Sequence, residues 1–571
     1  MLKSVKKGLI IFGSYSGRGR ERRVRTHREK AKVTYYSNTI IKQAGRKPPS
    51  MTQATTQEKL HEAISITLSA GFQLDKEAFQ FLNTLAQTED PTQLIKETIK
   101  KLQTLQERPL YIARSHLEET TQQLSPKPIA EPIPIYQPPP PQASQIQESK
   151  KTFQPLAKDI QPELTITEDP TTEICTTGSL EEYLEYFRDR FEKLQKLLKQ
   201  RIDARDASTI KNAFRAPANS KIKILGMINE KREYKNKVLI KIEDQEASAT
   251  LLVPQNAKKE LIEKARSLLL DQIICAACIK TRNNLLIAED FIWPDMPQQS
   301  PRKASIPVHA ALISDLHVGS KLFMREAFNR FLLWLNGKYG NEKLRKLAGY
   351  IKYVVIAGDI VDGIGIYPKQ AKELAIKDIY KQYHAAAKFI EQIPDYIEVI
   401  IIPGNHDASR KALPQQSIPK DYAEPLFETR KIYSLGNPSW VSLHKVEILL
   451  YHGRSLDDIV GSVPNITYDA PDKAMKLLLQ CRHLAPIYGG KTPISPEKHD
   501  YLVIEKTPDI FHAGHVHVVK FDYYKGVLLV NSGAWQLQTE FMQRLGFIPL
   551  PGVVPVVDLQ NLQVTPINFV S

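Results

Sequence analysis

Five apolar runs in the second half of the chain each stop at a short polar motif, and this recurrence constrains the fold more than any other feature. "VHAALISDLHVG" delivers Asp315 and His317, "YVVIAGDIVDG" delivers Gly358, Asp359 and Asp362, and "EVIIIPGNHD" delivers Asn405, His406 and Asp407. "EILLYHGRS" ends in His452, and "DIFHAGHVH" ends in His515 and His517. Each run reads as a β-strand. Helical patterns such as "REAFNRFLLWL" and "IYKQYHAAAKFIEQI" separate the first three, so the segment alternates as an α/β domain. In open α/β sheets the ligand site lies beyond the carboxyl ends of the strands. All five motifs fall at such ends.

Spacing then sorts the side chains. In an extended strand residues i and i+2 face the same way. Asp315 and His317 are therefore expected to aim at one point, and His515 and His517 likewise. His512, three residues before His515, falls on the opposite face and reads as a core or supporting histidine. Gly358, Gly404, Gly453 and Gly514 let the backbone turn sharply where the ligands must converge. The resulting inventory is Asp315, His317, Asp359, Asn405, His452, His515 and His517. That is too many ligands for one tetrahedral ion; it suits two metals ~3.5–4 Å apart, with Asp359 as the bridge. The set lacks thiolates and is richer in histidine than in carboxylate. It therefore favours manganese, iron or zinc over calcium, leaves magnesium possible, and disfavours a structural zinc site. Two carboxylates against two divalent ions leave a local charge of about +2, which attracts a phosphate oxyanion. His406 sits beside a ligand on a turn and projects elsewhere; it is the candidate general acid, with Asp362 as its orienting carboxylate. Any one of these histidines could be a satisfied core residue, but five motifs in strand-end order are not explained that way.

The first half is organised differently. Residues 51–118 carry helical spacing, with Leu60, Ile64 and Leu68 on one stripe, Gly71 as a stop, and Asp90 and Pro91 opening a third helix. They read as a small helical interaction domain. Residues 119–178 contain "SPKPIAEPIPIYQPPPPQ" and read as a proline-rich, semi-rigid linker. "SLEE" from Ser179 is a capping box opening an amphipathic helix over 179–205. Residues 206–300 show three strand-like runs, one helix and two further strands, the layout of an oligonucleotide-binding (OB) barrel. Its strands offer few stacking aromatics, Tyr234, Phe291 and Trp293, so a docking role is preferred to single-strand binding. Cys275 and Cys278 lie inside a β-run without a second pair and read as buried strand cysteines rather than as a zinc or redox motif.

Composition places few further limits. At 571 residues the chain is long enough for three or four domains. No apolar run approaches the ~20 residues of a membrane span, and "GLIIF" is too short for a signal-peptide core. Four scattered cysteines make no disulfide framework, so a reducing, intracellular setting fits. The net charge of +15 is concentrated: residues 1–50 hold 14 Lys/Arg against two acids, about +12 of the total. This stretch reads either as a disordered, phosphate-gripping arm or as sequence upstream of the true start at Met51.

The order DxH…GDxxDG…GNHD…H…GHxH resembles the signature of the calcineurin-like metallophosphoesterases, over roughly residues 306–540. The resemblance implies a β-sandwich flanked by helices across 301–571 and two-metal hydrolysis of phosphoesters. Asp315, His317, Asp359 and His517 would hold one metal; Asp359, Asn405, His452 and His515 would hold the other; His406 would protonate the leaving oxygen. A barrel directly before such a domain, behind a proline-rich segment and a helical module, resembles the small subunits of archaeal family D DNA polymerases. That resemblance implies a manganese-stimulated 3′→5′ proofreading exonuclease of the archaeal cytoplasm and nucleoid. It also implies as partners a large catalytic polymerase subunit, DNA with a single-stranded or mismatched 3′ end, and the sliding clamp. The competing expectations are a mainly structural polymerase subunit with an idle site, and a stand-alone phosphatase or repair nuclease.

Overall fold

In the computed structural model the chain is described over residues 56–124, apart from 71, 86–90, 104–108 and 110, and over 153–570, apart from 236. The basic stretch 1–50, the proline run, Gly71 and Asp90 lie outside the described residues. The described residues fall into two compact units, 56–124 and 153–570.

The first unit has helices at Thr56–Ser69, Lys76–Leu85, Pro91–Gln103 and Arg114–Leu124. Its short strands β1 (Gln73–Leu74) and β2 (Tyr111–Ile112) pair in parallel. Ala63, Phe72, Leu82, Ile95, Ile99 and Leu117 are buried together as its core. The boundary expected at residue 118 cuts the fourth helix, whose polar sequence RSHLEETTQQL carries only a weak apolar stripe.

The second unit opens inside the segment read as linker. β3 (Leu164–Glu168) is an edge strand paired antiparallel with the later strand Ser439–Leu443, and Phe153 packs its ring against Gly337. Residues 153–178 are therefore part of the folded unit rather than a spacer. Prolines flank the strand at 162 and 170, and an edge strand tolerates what a central one would not. The helix Leu180–Gln200 follows, with Ser179 accepting from the Glu182 N–H and the Glu182 carboxylate accepting from the Ser179 N–H.

β4 (Lys221–Tyr234), β5 (Lys237–Glu243), β6 (Ser248–Val253), β7 (Ile273–Lys280) and β8 (Leu286–Ile292) close into a barrel in the order β4-β5-β6-β8-β7, with the helix Lys259–Ser267 between β6 and β7. Cys275 and Cys278 are free, and each is buried in a different core: Cys275 faces the helix Leu180–Gln200, and Cys278 faces the barrel interior. Burial pushes both thiols up to about 12. Phe291 is buried in the barrel core, and Tyr234 is 65% exposed at the β4–β5 turn.

The remaining strands form two six-stranded sheets, β12-β11-β10-β9-β18-β19 and β16-β17-β15-β14-β13-β3. They comprise β9 (His309–Ile313), β10 (Ile351–Ala357), β11 (Glu398–Ile402), β12 (Ile432–Ser434), β13 (Ser439–Leu443), β14 (Val446–Leu450), β15 (Ile510–Ala513), β16 (Lys520–Tyr524), β17 (Val527–Asn531), β18 (Val553–Asp558) and β19 (Val564–Asn568). β9 to β12 run parallel, as do β14, β15 and β17. A core including Leu312, Val355, Ile400, Ile448, Ile510 and Val530 fills the space between the sheets. The helices Arg325–Leu335 and Ile379–Ile390 cover the outer face of the first sheet. The helices Leu180–Gln200 and Pro471–Cys481, together with the barrel, cover the outer face of the second. Strands buried on both faces account for the unbroken apolar runs. Among the described residues no helix is long and apolar enough to cross a membrane.

Candidate metal centre

Register brings the five motifs together. Ile313 lies beside Ile356 and Ala357 beside Ile402, so β9, β10 and β11 end together in the first sheet; Leu450 lies beside His512, so β14 and β15 end together in the second. Beyond them the loops are laced to each other. The Asp315 N–H donates to the Gly358 carbonyl (2.9 Å), His317 N–H to the Asp359 carbonyl (3.0 Å), and Gly514 N–H to the His452 carbonyl (2.9 Å). His515 N–H donates to Asp315 Oδ2 (2.9 Å), and His406 N–H to Asp359 Oδ1 (2.7 Å).

All seven expected ligands meet beyond these strand ends, but not by the geometry anticipated. Asp315, His317, Asp359, His515 and His517 have left the strands and hold φ values of 52° to 72°. Left-handed backbone costs a non-glycine residue roughly 1–2 kcal/mol, so the surrounding loop bonds must hold these five in place. The extended-strand expectation that His515 and His517 aim at one point is overturned. His517 joins Asp315 and His317, whereas His515 joins Asp359 and His452. Asp359 Oδ2 lies 3.9 Å from His317 Nε2 and 3.3 Å from His452 Nε2, between the two groups. Asn405 Oδ1 is 3.1 Å from His452 Nε2.

The tautomers follow from the outer partners. His452 Nδ1–H donates to the Ala357 carbonyl (2.8 Å), so Nε2 faces two oxygens that can only accept and must hold a proton or a cation between them. His317 Nδ1 faces Asp362 Oδ1 at 3.1 Å, and its Nε2 faces His517 Nε2 at 3.1 Å. The buried Asp315 Oδ1 and His517 Nδ1 have no hydrogen-bond partner. Lone pairs and carboxylates aimed at each other in a dry site call for a cation. The acid–base balance agrees. Burial opposes ionisation of Asp359, yet His452 and His406 hold it well below the carboxylate range. Burial pulls His452 down, yet Asp359 raises it to about 9. Asp315 lies at about 2, burial notwithstanding, because His517 faces it. The residues present thus fit two divalent ions flanking Asp359.

Asp362 does something other than expected. Its carboxylate accepts from His317 and from the Gln370 and Gln536 amides, and it lies 4.0 Å from His406 Nδ1. The main-chain carbonyl of Asp362, 2.7 Å away, orients His406 instead. Burial pushes the His406 imidazole down to about 4. His512 stays in β15, away from both groups, paired with Ser532 Oγ (2.7 Å).

Several supporting residues carried no sequence signal beyond their neighbourhood. Asp407 is fully buried and accepts from the N–H groups of Gly404, Ile360 and Val361 and from Tyr383 Oη, tying two ligand loops together. Asp457 faces His515 Nε2 at 3.2 Å and accepts from Tyr468 Oη. Ser314 Oγ donates to Asp315 Oδ2. The last letter of GNHD marked Asp407; Asp457 and Tyr468 lie in a stretch without a motif.

A mixed α/β sandwich with histidines and aspartates converging across its strand ends defines a metallophosphoesterase-like protein. Residues 310–522 match the family model for the B-subunits of DNA polymerases alpha and epsilon. The DNA polymerase II small subunit of Archaeoglobus fulgidus is 41% identical over 393 residues, 69% of this chain and 78% of the relative. That of Methanothermobacter thermautotrophicus is 40% identical over 394 residues, 69% and 80% of the two chains. That of Pyrococcus furiosus is 39% identical over 387 residues, 67% and 63%. The chain belongs to the family of archaeal DNA polymerase II small subunits. Among solved structures an archaeal phosphodiesterase aligns with 46% of this chain and 99% of its own, at 15% identity and a TM-score of 0.23, too slight a likeness to argue from.

Proposed function

We propose that this chain is the nuclease subunit of a two-subunit replicative DNA polymerase, removing mispaired nucleotides from a DNA 3′ end. The observation that carries the reading is the pair of ligand groups meeting at Asp359, in a chain whose relatives are polymerase small subunits. A small subunit requires a large one, so the catalytic polymerase chain is the principal partner and DNA the substrate. We read the barrel at 221–292 as an OB domain, on its strand order and the position of its helix.

Asp315, His317, Asp359 and His517 would hold one divalent ion, and Asp359, Asn405, His452 and His515 the other; manganese suits this nitrogen-and-oxygen set. Two such ions, when bound, activate a water and withdraw charge from the phosphate. The chain's own residues position and protonate. Asp362, Gln370 and Gln536 fix the His317 ring. The His406 Nδ1–H is committed to the Asp362 carbonyl, so Nε2 is the atom that can carry a proton into the site. An arriving phosphodiester anion raises the depressed imidazole pKa and so loads it. The water oxygen bonds to phosphorus, the P–O3′ bond breaks, and His406 Nε2–H protonates the departing O3′. The terminal residue leaves as a 5′-monophosphate.

Replacing His406 by alanine tests this reading. With Mn²⁺, the large subunit and DNA bearing a mismatched 3′ end, the variant should keep its metal content and lose ~10²–10⁴ of the hydrolytic rate. An unchanged rate would remove His406 from the mechanism. Intact DNA beside turnover of para-nitrophenyl phosphate would move the chain to the monoesterases.

A further inference from the structure

The ligand cluster forms the floor of a cavity of about 200 Å³ whose upper walls are aromatic. On one side the rings of Tyr367 and Phe541 stack at 5.7 Å and 26°, and Tyr367 lies 6.2 Å from the His406 ring. On the other, Tyr468 and Phe547 stack at 5.0 Å and 28°. Tyr367 and Tyr468 are partly buried, whereas Phe547 is buried, only 8% exposed, so the second pair is a fixed wall and the first the more accessible one. Phe541 is 46% exposed, and Ile548, beside Phe547, is 72% exposed. Both tyrosines are nevertheless held: Tyr367 Oη donates to Glu373 (2.6 Å) and Tyr468 Oη to Asp457 (3.0 Å). Arg454 brings positive charge to the same cavity. The walls come from the loop after β10 (Tyr367), from the short helix Glu540–Leu545 and the residues just after it (Phe541, Phe547), and from the segment after the helix Leu456–Ser462 (Tyr468).

Held aromatic rings lining a cavity beside a phosphodiester-cleaving centre have an obvious class of ligand. Every base has a π-face, and base–aromatic stacking is tolerant of sequence. The cavity is smaller than the ~300–1,000 Å³ of clefts that bury drug-sized ligands, so it takes one base and not a base pair. A base must leave its helix to enter, which costs least when it is mispaired or already single-stranded.

Resting on the nuclease reading above, we propose that Tyr367 and Phe541 form a stacking platform for the unpaired 3′-terminal base, with Tyr468 and Phe547 as the facing wall. This slot makes the centre selective for frayed ends. A paired terminus cannot present its last base to the platform, while a mispaired one arrives already unstacked. Selectivity therefore arises from where the base must sit, with no base-edge hydrogen bonds required.

The experiment compares two single-stranded DNAs that differ only in the last residue, a normal nucleotide or an abasic one, using the full chain with its large subunit and Mn²⁺. Wild type should show a KM about tenfold higher for the abasic end, equivalent to ~1.4 kcal/mol. Phe541→Leu keeps the size and apolarity but has no π-face. It should raise KM for the normal end by about tenfold and add little on the abasic end, and Phe541→Trp should restore the difference. Equal KM values for the two ends in wild type, or an equal effect of Phe541→Leu on both, would overturn the platform while leaving the nuclease intact. If wild type cleaves neither DNA, the nuclease reading itself fails, and the platform with it.

Discussion

Five candidate ligands sit in left-handed backbone, and the loops tolerate this because glycines let neighbouring chains approach almost to contact. A Cβ on Gly404 would run into Asp359 Oδ1 and the Asp359 backbone nitrogen; one on Gly358 would lie 2.6 Å from His452 Nδ1. Gly404→Ala must therefore displace the Asp359 carboxylate, which we propose as the bridge between two ions. Its manganese content, by elemental analysis, should fall from two ions per chain to below one, and full occupancy would refute the bridge. The motif letters were readable as strand-end punctuation. Strand periodicity did not show the split of His515 from His517, which only the family resemblance implied, because it depends on backbone dihedrals that no alternation of residue types specifies. Asp457 escaped notice for a related reason: it meets His515 from 58 positions away.

At the scale of elements, the helix Leu180–Gln200 was recognisable from its capping box and apolar stripe, but not what it grips. Arg190 Nε donates to Asp500 at 2.7 Å and a second nitrogen to Tyr186 Oη, all of them buried. His483 Nε2 lies 2.9 Å from the same carboxylate. Burial, with Arg190 nearby, pushes His483 down to about 4 from an ordinary value near 6.5. Between those values the unfolded chain takes up a proton that the native chain refuses. This stability is complete above about pH 6.5 and is lost as the pH falls towards 4. The loss should be on the order of 3 kcal/mol. The melting temperature of the full chain should drop across that window, and His483→Gln should flatten the drop. Parallel curves would show that another group titrates there.

Over the whole molecule, one core runs through the helix Leu180–Gln200 (Phe187, Phe191), the barrel (Met227, Cys275) and the outer sheet (Leu449, Phe511). The barrel and the sandwich share this apolar interior, whereas residues 56–124 bury a separate one. A fragment spanning 153–571 should therefore fold without the preceding residues and melt in a single calorimetric transition with its metal centre intact. Two resolved transitions would mean that the barrel and the sandwich are independent.

By itself the sequence determined the alternation of strand and helix and the residues that punctuate the strand ends. Both are local patterns, written in periodicity and in the residue after each apolar run. Family resemblance was legible for the same reason, since the motifs keep their order along the chain. Only the tertiary structure decided that residues 153–178 complete a sheet and that the Asp362 carboxylate serves His317 rather than His406. Those outcomes rest on contacts between residues far apart in sequence and on left-handed turns held by their neighbours, and neither leaves a trace in local composition.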